Sequence, residues 1–203
     1  MKNSKEILDE EIQVPWPQKG DILVSDSNAD GNLAQTMYRD GWEPYVFAYR
    51  KAAEFLVEQV SHKRLWGNLL IFPIAFVYRH YFELRLKALI HDGCELERIP
   101  ASTGNEHRLL PLWRRCRPIV EKWLTTIPKS ELDAVEETLT QFENLDANGQ
   151  MARYPTNNTG ENPSNLLGIK INVKNFAETI TKSANLLDAL GDEFSELKSN
   201  RFY

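Results

Sequence analysis

The sequence predicts an all-α protein, an up-and-down bundle of about five helices behind an irregular N-terminal arm. Two observations lead to this. Apolar residues recur at helical spacing through most of the chain after residue 43. A near-continuous apolar segment, Leu69 to Tyr78, marks a helix expected to be enclosed by others rather than laid on a surface. The domain reading is an arm over 1–43 and a bundle over 44–198.

The arm holds Pro15, Trp16, Pro17, Gly20, Gly31 and Gly41 among many Asp and Asn, with little periodicity. Ile22 to Val24 reads as a short extended segment, and Trp16 and Trp42 as anchors for the arm. A first helix is expected from Pro44, a residue suited to the first helical turn, to His62. Its buried stripe is Val46, Tyr49, Ala53, Leu56, Val57 and Val60. The central helix follows from Asn68 to His91, with Pro73 early in it and Gly93 just past its end.

After a loop over Arg98 to Glu106, a third helix reaches about Leu124. Leu109, Leu112, Trp113, Cys116, Ile119, Val120 and Trp123 form its apolar face, and Pro118 should kink or split it. A fourth helix runs from Ser130, with Asp133 as a capping partner, to about Leu145. The connection from Asp146 to Leu166 is long for a compact domain, which marks it as functional or mobile. The alternation Ile169 to Val173 reads as a short extended piece. A last helix spans Lys174 to Leu197, burying Phe176, Ile180, Ala184, Leu187 and Leu190.

The 203 residues carry a net charge of −5, so the chain as a whole does not attract nucleic acid or an anionic membrane; such binding needs a local patch. Cys94 and Cys116 have no metal-ligand spacing and are too few for a disulfide framework, which points to a reducing compartment. With no apolar signal segment at the start, the expectation is a cytoplasmic protein without membrane association. No zinc cluster, glycine-rich phosphate loop or nucleophile elbow occurs, and neither metal nor cofactor is expected.

Chemistry concentrates on the central helix. At 100° per residue, Arg79, His80, Glu83, Lys87 and His91 share one sector, while Arg85 lies opposite. A polar stripe on an enclosed helix must be paired or face a cleft. As a site it would supply His80 for proton transfer and Arg79 or Arg153 for a phosphate, with His107 entering from the head of the third helix. As structure, Arg79, Glu83 and Lys87 are an ion-pair ladder spaced by four. A second feature is the basic face of the third helix, where Arg108, Arg115 and Lys122 repeat every seven residues beside Arg114 and Arg117 and offer contacts to a phosphate backbone. Arg153 and Tyr154, in the long connection, combine a cation with a stacking ring suited to single-stranded RNA, or else fold back to anchor the loop.

Three motifs in order, Glu83-x-x-Leu86-Lys87-Ala88-Leu89-Ile90, His107-x-Leu109-x-x-Leu112-Trp113 and Arg153-Tyr154-Pro155, resemble the HEPN superfamily over roughly Tyr45 to Leu197. The resemblance implies a helical bundle, often dimeric, with many members acting as ribonucleases in toxin–antitoxin or defence settings and others only binding nucleotides or partners. Active members carry an arginine followed four to six residues later by histidine near the start of a late helix. Here Lys174 to Leu197 contains neither residue, and the one matching spacing, Arg85 to His91, lies across two faces of the central helix. The expected function is engagement of RNA or a nucleotide, with metal-independent ribonuclease activity in view. A homodimer and an antitoxin or other protein partner are implied. The alternatives are a non-catalytic dimerising or adaptor module and a nucleotide sensor.

Overall fold

The computed structural model describes residues 16–23, 34, 41–63, 67–146, 152–153 and 168–202. Five α-helices lie within them: α1 (Glu43–Lys63), α2 (Gly67–Glu97), α3 (Leu109–Trp123), α4 (Lys129–Leu145) and α5 (Val173–Phe202). No strand occurs among the described residues, so the all-α bundle stands. Ile169 to Asn172 is irregular chain leading into α5, not an extended ladder. The chain forms two compact units, Met1–Arg39 and Asp40–Tyr203.

In the first unit, Gln18 to Asp21 make a turn. The Asp21 amide donates to the Gln18 carbonyl, and the Asp21 carboxylate accepts from the Gln18 amide. Gly20 supplies the positive φ that such a turn needs at its third residue. Trp16 is 80% exposed and Ile22 and Leu23 are also exposed; Val24 lies outside the described residues.

The second unit is organised around α2, which packs on α1, α3 and α5, with α4 bridging α3 and α5. Side-chain pairs fix the directions. Glu43 meets Arg85 and Tyr49 meets His80, so α1 and α2 are antiparallel. Trp113 and Arg117 meet Glu136 and Asp133, so α3 and α4 are antiparallel as well. By contrast, His107 meets Glu83 and Lys122 meets Glu97: α3 runs parallel to α2, and the connection between them climbs back along the bundle.

The sequence places the deepest burial over Leu69 to Tyr78, but the structure shifts it onward. Leu69 is 61% exposed, while every residue from Tyr78 to Ile90 other than His80 and Leu84 is buried. The helix also outruns its expected stop at His91 by about a turn and a half. It ends where Arg98 takes a positive φ, with the Ile99 amide donating to the Cys94 carbonyl and the Arg98 amide to that of Glu95. That is a Schellman close with arginine in the position glycine usually holds. Gly93 is therefore interior, and its role is close approach: a Cβ there would lie 2.1 Å from Cγ2 of Ile119 on α3.

Pro118 does not split α3, which continues to Trp123. The Ser130–Asp133 capping signal is not used, since Pro128 is the residue at the N-cap of α4 and makes no side-chain cap. α5 is instead capped by Asn172, whose carboxamide oxygen accepts from the Asn175 amide at 3.0 Å.

Gly93→Ala should destabilise the bundle by about 1–3 kcal/mol through overpacking. Thermal unfolding of Gly93→Ala, Ile119→Ala and the double variant checks it: the double should be less destabilised than the sum of the singles.

Candidate functional site

At mid-helix, α2 presents Arg79, Glu83 and Lys87 one turn apart, with exposures of 5%, 6% and 8%. Charges this deep need partners. Oε1 of Glu83 accepts from Nζ of Lys87 at 2.8 Å and lies 2.8 Å from Nδ1 of His107, while Oε2 faces Nη1 of Arg79 at 3.5 Å. Arg79 spends its remaining donors on main chain, Nη2 to the His107 carbonyl at 2.8 Å and Nε to the Asp146 carbonyl at 3.2 Å. One guanidinium thus ties α2 to the head of α3 and the end of α4. Burial pushes the Glu83 carboxyl up, but hydrogen bonds from Lys87 and His107 and their charges outweigh it and hold it below the usual carboxylate range.

His107 is where this cluster meets solvent, its side chain 64% exposed. An ionised carboxylate only accepts, so the Nδ1 facing Glu83 carries hydrogen. Beside it, Glu106 binds the His107 and Arg108 amides and the Arg108 guanidinium, and those contacts bring its carboxyl down to about 2.

The predicted catalytic set therefore divides. Arg79, Glu83 and His107 touch one another. His80 turns toward α1 instead, edge-on to Tyr49 at 4.4 Å between ring centroids and stacked with Phe76 at 6.1 Å. Burial pushes its pKa down, opposed by the nearby Glu83 charge and reinforced by Lys87, Arg79 and Arg153. Arg153 lies over the Phe76 ring at 5.5 Å, which places it in the His80 patch. Tyr154 lies outside the described residues. His91 is exposed, away from the buried cluster.

The basic face of α3 is met by acids from other elements. Arg108 pairs with Glu106, and Lys122 with Glu97 at 2.7 Å. Arg117 reaches Glu121, Glu136 and Asp133 at 2.9, 2.8 and 2.6 Å. Arg115 donates to the Ser102 carbonyl, and Arg114 is exposed. Spacing along α3 reveals Glu121 alone of these acids; the others arrive from α2, α4 and the loop before α3.

Sequence reasoning passed over a second polar network on the far side of α2. Arg85, only 5% exposed, donates through Nε to Oδ1 of Asp188 at 2.7 Å and through Nη1 and Nη2 to Glu43 at 2.5 and 2.9 Å. Tyr81 donates to the same Asp188 oxygen at 2.8 Å, and Arg50 to its other oxygen. Burial, then the Asp188 charge, pushes the Tyr81 hydroxyl up, so it remains a donor. Gly191 leaves room for the guanidinium: a Cβ there would lie 2.5 Å from Nη1 of Arg85. The usable signal was Tyr81 and Arg85, spaced by four on an enclosed helix opposite Glu83.

Among the described residues, His91, Asp92 and Glu95 bring ligand atoms within 4.8 Å of one another. The Lys198 ammonium contacts both Asp92 and Glu95 and supplies the positive charge there. No helix among the described residues is long and apolar enough to cross a membrane. No known protein family, curated protein or solved structure matches the chain.

Glu83→Ala should cost about 3–5 kcal/mol by leaving Arg79 and Lys87 buried without their acceptor. The milder Glu83→Gln isolates the charge. Because the folded carboxyl titrates below its ordinary 4.5, its contribution is full above that pH and lost as pH falls through the lower folded value. The gap in thermal midpoint between wild type and Glu83→Gln should be widest near neutrality and close in acid below 4.5.

Proposed function

We propose that the bundle is a HEPN-like module that engages RNA or a nucleotide at the head of α3, with His107 as the group that meets the ligand. One observation carries this reading: an exposed imidazole whose Nδ1 is fixed at 2.8 Å from a buried carboxylate. Metal-independent RNA cleavage needs a base for the 2′-hydroxyl, an acid for the departing oxygen and a cation for the phosphate. His107 is suited to the proton transfer and the adjacent Arg108 to the phosphate. Glu83 is a positioning residue that sets the tautomer. Arg79 is a positioning residue too, since its donors are held by Glu83 and two carbonyls. The resemblance extends the proposal to a cytoplasmic defence or toxin module with an antitoxin as protein partner.

The experiment is incubation of the full chain with labelled single-stranded RNA in chelator, reading retardation and cleavage together. Cleavage is expected, reduced about 10²–10⁴-fold in His107→Ala, with a displaced pH profile in Glu83→Gln. Binding without cleavage, weakened by Arg108→Ala, assigns the non-catalytic form of the same engagement. Neither binding nor cleavage overturns the proposal.

A second reading, a dimerising or adaptor module, is favoured by one feature of α1. Phe47 and Phe55 are 63% and 62% exposed, and both lie four residues from Lys51 on one face. Light scattering decides it: a dimer that Phe47→Ser dissociates supports this role, and a monomer at every concentration removes it.

A further inference from the structure

A cavity of about 230 Å³ opens between the last turns of α4 and the first turns of α5. It is separate from the His107 site and does not depend on the RNA reading. Phe142, Phe176, Leu145, Ile171 and Ile180 form its apolar side, the two rings 5.6 Å apart and tilted by 52°. Phe142 is 3% exposed and belongs to the core, so this side is fixed by packing rather than assembled on binding. The rest of the lining is polar. Asn175 and Thr179 stand one turn apart on α5, and their side chains make no hydrogen bond among the described residues; Lys170 enters from the chain before the helix with no ion pair among them. The Asn172 cap holds the backbone that carries this rim, leaving the Asn175 carboxamide uncommitted because only its main-chain amide enters the cap.

We infer that this cavity binds a small planar aromatic molecule carrying one anionic group. The partly exposed Phe176 ring supplies a stacking surface worth about 1–3 kcal/mol to a planar heterocycle. The Asn175 carboxamide and the Thr179 hydroxyl supply directional partners for ring nitrogens or exocyclic groups, and Lys170 is a point charge suited to a phosphate or a carboxylate. The volume lies slightly below the range of drug-sized pockets, which fits one ring system with a short charged arm and not a polymer segment. That chemistry is shared by a nucleoside monophosphate and by an aromatic carboxylate.

Calorimetric titration of the full chain with AMP and with indole-3-acetate, each against its uncharged counterpart, adenosine or indole, tests the inference and separates the two sources. Saturable binding is expected for at least one anionic probe, about tenfold tighter than its uncharged counterpart, the worth of one charge-assisted hydrogen bond. Lys170→Glu should remove that advantage, and Asn175→Leu should weaken both members of the pair. Lys170 and Asn175 are exposed, so these variants should keep the fold. His107→Ala should leave binding unchanged, which keeps failure here distinct from failure of the RNA reading. The inference is overturned by no saturable binding of either anionic probe up to about 1 mM, or by binding that Lys170→Glu and Asn175→Leu leave intact.

Discussion

The structure depends on charges held in the buried middle of α2. Arg79, Glu83, Arg85 and Lys87 are all buried on α2. An isolated ion at such depth is costly by several kcal/mol, and the attraction of a partner repays this only with good geometry and further hydrogen bonds. The fold supplies both on opposite sides of the helix. On one side, Glu83 collects Lys87, His107 and Arg79; on the other, Arg85 and Arg50 converge on Asp188. Each network reaches elements that the apolar core alone would leave free to slide. Replacing a whole network by aliphatic residues is often neutral or stabilising, so their contribution is better understood as fixing which helices meet, and where along their length.

The two networks differ in what they offer chemically. The Asp188 network is closed: the acceptor lies among Tyr81, Arg85 and Arg50, with Glu43 completing the guanidinium. The Glu83 network has an outlet. His107 lies at a helix head, one ring nitrogen held by a buried acid and the rest of the ring in solvent. A buried carboxylate that orients an exposed imidazole gives proton transfer a fixed direction at little reorganisation cost. His80 shares the helix but not the setting, because aromatic neighbours close over it.

Much of the fold could be read from the chain. The apolar periodicities of α1, α3 and α5 put Val46, Ala53, Leu109, Trp113, Ile180 and Leu187 in the core, where the structure has them. What resisted reading depended on contacts between elements. Gly93 resembles a helix stop, yet Ile119 on α3 needs its bare Cα. Arg98 gives no local sign of taking the left-handed position that glycine favours. Of the site, the spacing of Arg79, Glu83 and Lys87 was legible, and so was His107 as a neighbour at the next helix head. The turn of His80 toward α1 was not, because one step along a helix rotates a side chain by about 100° and only the position of α1 decides what it meets. Arg85 was passed over for a related reason: its partners stand 42 and 103 residues away.

The distance between Arg85 and Asp188 also bears on the order in which the chain emerges from the ribosome. Domains generally fold as units as synthesis proceeds. Here α1 to α4 are synthesised before α5, when Glu43 is at hand but the carboxylate that Arg50, Tyr81 and Arg85 share does not yet exist. Until α5 arrives, the Tyr81 hydroxyl and the Arg85 Nε lack the acceptor they share in the finished bundle.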